Sequence, residues 1–150
     1  MLKPIALALV CAALSASCNS ADYTLTLQND SAVPLVPYPV VTTPPPPHRE
    51  ADPANTVAAG TSQAIEPTGF NPLYYQASRM LSLTLQLGLD QDPPAVLARV
   101  LRHAVEPGQE GADPALQPTL VGEQVFEPTE LDLTFVVAPG EGFPISMVEK

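Results

Sequence analysis

The chain has 150 residues, with 16 acidic against 6 basic side chains and a formal net charge of −10 at pH 7. No cluster of bases exists to neutralise phosphates, which argues against nucleic-acid binding, and an anionic lipid surface would repel the chain. Nineteen prolines discourage long helices, while 45% hydrophobic residues argue against wholesale disorder, so the composition predicts short strands joined by ordered proline loops.

Residues 1–17 read as an export signal. Lys3 and the amino terminus form a small positive region, "IALALVCAAL" (5–14) is apolar, and Ser15, Ala16 and Ser17 are small. The apolar run is too short to cross a bilayer, which takes roughly 20 residues. Two processing routes fit. Ordinary signal peptidase could cut before Cys18, with Ser17 at −1 and Ser15 at −3, and the product would be secreted. The bacterial lipoprotein signal also places small residues before a cysteine, usually with Leu at −3; here Leu14 stands at −4. Cysteine counting favours the second route. Cys11 leaves with the signal, so Cys18 would be a lone thiol in an exported protein, and diacylation gives it a use. Asn19 then resembles the sorting residue of outer-membrane lipoproteins in enteric-type bacteria. The expected product is an envelope lipoprotein facing the periplasm or the cell surface, with residues 18–22 as a short tether and 23–150 as one domain.

Along that domain, "YTLTLQND" (23–30) alternates Tyr23, Leu25 and Leu27 against Thr24, Thr26 and Gln28, the pattern of a half-buried strand ending in a turn. "AVPLVPYPVVTT" (32–43) carries three prolines and reads as an edge strand or polyproline-type segment, and 33–41 is the best candidate binding edge. "PPPPHREADPANT" (44–56) is a stiff loop. A weak strand and turns follow over 57–72, and "LYYQASRM" (73–80) fits strand or helix. "LSLTLQLGL" (81–89) sets five leucines on one face and predicts the clearest strand. The spacing of Val96, Leu97, Val100, Leu101, Ala104 and Val105 predicts a short helix over 93–105, with Asp92 as N-cap, Pro93 at its first position, and Arg99, Arg102 and His103 on the wet side. "EPGQEGADPALQP" (106–118) is an acidic loop. "TLVGEQVF" (119–126), "ELDLTFVV" (130–137) and "FPISMV" (143–148) predict three more strands, the second with Leu131, Leu133, Phe135 and Val137 inward. These elements predict an antiparallel β-sandwich, C2-like or immunoglobulin-like, with one inserted helix.

Few residues could carry chemistry. His48, Glu50 and Asp52 recur at alternate positions and, if extended, could hold a divalent metal, the one cofactor the sequence leaves open; a solvated loop is the favoured reading, because zinc and copper sites collect more nitrogen or sulfur. His103 and Glu106 would lie one turn apart on the helix, a surface pair with no nucleophile beside it. Asp90 and Asp92 give half of an oxygen-rich calcium loop, and Glu106, Glu110 and Asp113 could line another; solvated charge is favoured for both. Met80 and Met147 read as core filling. The sequence contains no G-x-S-x-G, H-E-x-x-H or phosphate-loop pattern.

"TLQNDSAVPLVPYPVVT" (26–42) and "GEQVFEPTELDLTFVVAPGEGFPISMV" (122–148) together resemble the spondin domain in its bacterial exported form. In that family an early strand ends in Asn, a proline-containing segment follows, and Pro-Gly, a short strand and Met-Val come near the end. The family's acidic Glu-Asp-Gly stretch has no counterpart here, so no metal ligands carry over. The resemblance implies a C2-like sandwich and an adhesion or surface-interaction role. The expected function is therefore a lipid-anchored, non-catalytic module that binds a protein or glycan in the envelope. The alternatives are a structural subunit of an envelope or secretion assembly, and a small metal-binding protein or hydrolase.

Overall fold

A computed structural model describes residues 22–38, 56–65, 72–78, 80–106 and 109–150. Nine strands build it: β1 (Thr24–Asn29), β2 (Val36–Tyr38), β3 (Thr61–Ile65), β4 (Pro72–Ser78), β5 (Leu81–Gly88), β6 (Ala95–Arg102), β7 (Thr119–Phe126), β8 (Asp132–Val137) and β9 (Ile145–Glu149). They form a four-stranded sheet in the order β3-β1-β8-β9 and a five-stranded sheet in the order β2-β4-β5-β6-β7. The two sheets pack face to face, so the chain is a β-sandwich.

The period-two pattern explains the core. Leu25 and Leu27 of β1 and Leu133, Phe135 and Val137 of β8 point inward from one sheet; Leu83, Leu85 and Leu87 of β5 and Val96, Ala98 and Val100 of β6 meet them from the other. Tyr75 of β4 joins them, and burial pushes its phenol up to about 12. Nearly all pairings are antiparallel. The exception is β1 with β8, which run parallel with Leu27 opposite Phe135, so the four-stranded sheet is mixed rather than purely antiparallel.

The helix expected over 93–105 does not form. Its residues are β6, a central strand whose whole length pairs with β5, from Leu81 opposite Arg102 to Gly88 opposite Ala95, and which pairs with β7 on its other side. The apolar residues fit both periods, since Val96, Ala98 and Val100 alternate with Leu97, Arg99 and Leu101. Two waiting ladders and two β-branched valines decide for the strand. Asp92 is consequently no N-cap but lies in the connection before β6. The one helical piece among the described residues is a single 3-10 turn, Pro114–Leu116, capped by the Asp113 carboxylate accepting from the Ala115 N–H at 3.0 Å. Leu131 is a second correction: it precedes β8, points outward and is exposed, as is Met80. Met147 does pack against the core.

The two lateral sides of the sandwich differ. On the β2/β3 side, Leu35 and Val57 exchange backbone hydrogen bonds of 3.0 and 2.9 Å and stitch the margins of the two sheets together. On the β7/β9 side no such bridge is found among the described residues, and the end of the turn 138–144 instead lines a crevice together with β7. Phe143 adopts a positive φ of 49° there, a conformation that costs a branched or bulky side chain of the order of 1 kcal/mol, offset by burying its ring in the core.

Candidate binding edge and the sealed histidine cluster

Two features stand out from the scaffold, and β6 positions both. The first follows from strand parity. Leu97, Arg99 and Leu101 lie on the outer face of the five-stranded sheet, and His103 continues that row just beyond β6, its N–H donating to the Met80 carbonyl at 2.7 Å. The ring does not reach solvent. Only 3% of His103 is exposed. Its Nε2 lies 2.7 Å from Ser82 Oγ on β5 and 3.0 Å from the Tyr74 hydroxyl on β4. Its Nδ1 has no hydrogen-bond partner among the described residues; it faces Glu110 Oε1 at 3.6 Å, too long for a hydrogen bond but close for an electrostatic contact.

Burial disfavours the imidazolium and lowers the His103 pKa, and the Glu110 carboxylate opposes part of that shift. A proton on Nδ1 of the neutral ring suits this setting: it faces the carboxylate and leaves Nε2 to accept from a hydroxyl. Serine, histidine and glutamate thus stand in the order of a hydrolytic triad. Ser82, however, is 0% exposed, so in this conformation no substrate reaches its hydroxyl. The cluster serves here as a polar clasp tying β4, β5 and the end of β6 together on the outer face of the sheet.

Sequence reasoning placed His103 on a wet helix face beside Glu106 and treated Glu110 as solvated charge. Both placements are overturned: the ring is buried and it is Glu110 that faces it. A period-two reading of 95–103 would have put His103 in the same outward row as Leu101, which pairs with Ser82.

The second feature is β7. Four strands stand at sheet edges among the described residues, and β7 is the longest, with eight residues against three in β2 and five each in β3 and β9. No proline interrupts it, whereas β2 contains Pro37. Its side chains are unusually wet for their type: Val125 is 59% and Leu120 51% exposed, and Val121 is exposed as well. A bulge opposite Val100 and Leu101 displaces Val121 towards Gly142, where an added Cβ would meet a Val121 methyl at 3.1 Å. Beneath the strand, Gly122 and Gln124 form one wall of a crevice of about 140 Å³, with Phe143, Pro144 and Ile145 on the other. On the outer face Glu123 accepts from Arg99 Nε at 2.8 Å.

The other sequence candidates are scattered. His48, Glu50 and Asp52 lie outside the described residues, as do Cys18 and the rest of the export signal. Among the described residues no group of three or more His, Cys, Asp or Glu could hold a metal ion, and no helix is long and apolar enough to cross a membrane. Of the 33–41 segment, Val36–Tyr38 forms β2 and does stand at an edge; 39–41 lie outside the described residues. The chain matches no family model, no curated protein and no solved structure.

Proposed function

We propose that the chain is an envelope module that binds a partner rather than transforming one, held at a membrane through diacylated Cys18. The observation that carries the binding reading is β7, an eight-residue edge strand with Leu120, Val121 and Val125 turned to solvent on the side of the sandwich where no bridge joins the sheets among the described residues. Edges of this kind are normally shortened, charged or covered, and an apolar one left open is a template for association. The resemblance to the spondin domain supports an adhesive role of the same sort. The short tether 18–22 would keep the sandwich close to the membrane, where a partner in the envelope is within reach.

The test is a pull-down from native membranes with the full chain. One partner, enriched reproducibly and competed by free chain, supports the module; recovery of none counts against it. The same exposed side chains favour a second reading, a structural subunit of a larger envelope or secretion assembly, and a fixed stoichiometry within a large complex would select it. The anchor has its own check. Mass spectrometry of the mature amino terminus should find acylated Cys18, and Cys18→Ser should move the protein to the soluble fraction; a mature chain starting at an unmodified residue would remove the anchor.

A further inference from the structure

We infer that the partner is a protein, and that it binds by adding one extended segment of alternating apolar and basic residues to the outer edge of β7, which no strand pairs among the described residues. This rests on the binding-module reading and names its ligand class. An edge strand directs the N–H and C=O groups of alternate residues away from its sheet at the strand repeat, and another peptide backbone matches that spacing. Sugar hydroxyls do not. The bulge at Val121 blunts the start of the strand, so Gly122–Phe126 is the usable length.

Side-chain geometry fits the same ligand. On an added strand, successive residues would point to opposite faces. Those on the inner face would meet the crevice between Gln124 and Phe143; those on the outer face would lie beside Val125 and Glu123. Pockets for alternate side chains are how strand-addition sites select their peptides.

Charge decides the polar residues of the ligand. Between Arg102 and Lys150 the sequence contains no lysine or arginine and nine carboxylates, including Glu123 within β7, Glu127 just after it and Glu141 next to Gly142, where an added Cβ would meet Val121. Arg99, which faces the middle of β7 in register, is already engaged by Glu123. A second copy of this chain would bring the same carboxylates to the same edge and be repelled. A segment bearing lysine or arginine would be attracted and steered.

The probe is a synthetic eight-residue peptide of alternating valine and lysine, titrated into the full chain and followed by amide chemical shifts. A peptide with glutamate in place of lysine is the control. Expected are saturable shifts confined to 119–126 and 142–145, and an affinity that falls about tenfold or more between about 50 and 500 mM salt. Val125→Lys and Glu127→Lys should each weaken binding about tenfold while leaving the thermal midpoint unchanged, and Ser62→Lys on the β3 edge should not weaken it. Equal binding of the glutamate peptide, shifts elsewhere, indifference to both β7 variants, or a stable dimer that protects 119–126 would overturn the inference. A photo-crosslinker at position 125 or 62 in cells separates the two claims. Adducts at 125 support the inference. Adducts at 62 alone overturn the edge assignment and leave the module reading standing, and adducts at neither position overturn both.

Discussion

Ser82 Oγ and His103 Nε2 are 2.7 Å apart across the outer face of the five-stranded sheet, and both residues are buried. Outward-facing positions of a sheet are normally wet. This pair is nevertheless dry, and together with the Tyr74 hydroxyl at 3.0 Å it gives the buried ring its polar partners. The Glu110 carboxylate stands 3.6 Å from the ring's other nitrogen.

The clasp should loosen in acid. Unfolded, the imidazole titrates near 6.5; folded, burial holds it lower despite Glu110. Between those two values the unfolded chain binds more protons, so stability is full above about pH 6.5 and declines as pH falls through it. Thermal midpoints measured from about pH 7.5 to about pH 5 should drop, and His103→Gln should flatten that slope. Glu110→Gln removes the charge that raises the folded value, so its slope should steepen. An unchanged slope in His103→Gln would assign the acid sensitivity to other groups.

Asn29, at the end of β1, joins three segments. Its Nδ2 donates to the carbonyls of Val33 and Val57 at 2.8 and 2.9 Å, and its Oδ1 accepts from the N–H and hydroxyl of Ser31 at 3.1 and 2.5 Å. No other side chain type offers two donors and an acceptor at that reach. Asn29→Ala would strand these buried groups and should cost about 2–4 kcal/mol in urea unfolding. Asn29→Asp, nearly the same shape but without donors, should cost as much. A loss within error of zero for either would show that water satisfies the carbonyls.

Phe135 stands opposite Leu27 in the parallel pair and against the Phe126 ring at a centroid distance of 6.2 Å, so it links β1, β8 and the end of β7. Phe135→Ala should lose about 3–5 kcal/mol by the same assay, the range for emptying a large aromatic site in a core.

Much of the sandwich was legible because alternation and turn chemistry coincide. β1, β5 and β8 each show a period-two pattern closed by Asn, Gly or Pro, and they form close to where those residues place them. What was not legible depended on partners distant in sequence. The parallel β1–β8 pairing is invisible in either strand alone. Leu131 reads as the first inward residue of β8 only if the strand starts there, and the ladder begins one residue later, at Asp132. The sealed cluster was hidden by one wrong period: assigning 93–105 to a helix turned His103 to solvent and left Ser82 without a neighbour. β7 was recognised as a strand, but that it would stand at an edge is a property of the sheet order.

The strand assignment of 95–102 has a test in which the two periods give opposite rankings. On a helix, Val96 and Leu97 would share the buried stripe, and the larger side chain would cost more to truncate. On β6, Val96 is 0% exposed and opposes Leu87 in the core, while Leu97 faces outward opposite Gln86 and is half-buried. Val96→Ala should therefore cost about 2 kcal/mol and Leu97→Ala under about 1 kcal/mol, although the leucine loses more atoms. Amide exchange should also show 96–101 protected as a central ladder, with both the β5-facing and β7-facing N–H groups slow. Equal costs for the two substitutions, or fast exchange at every second residue, would return the segment to an edge strand or a helix and undo the placement of His103 that follows from it.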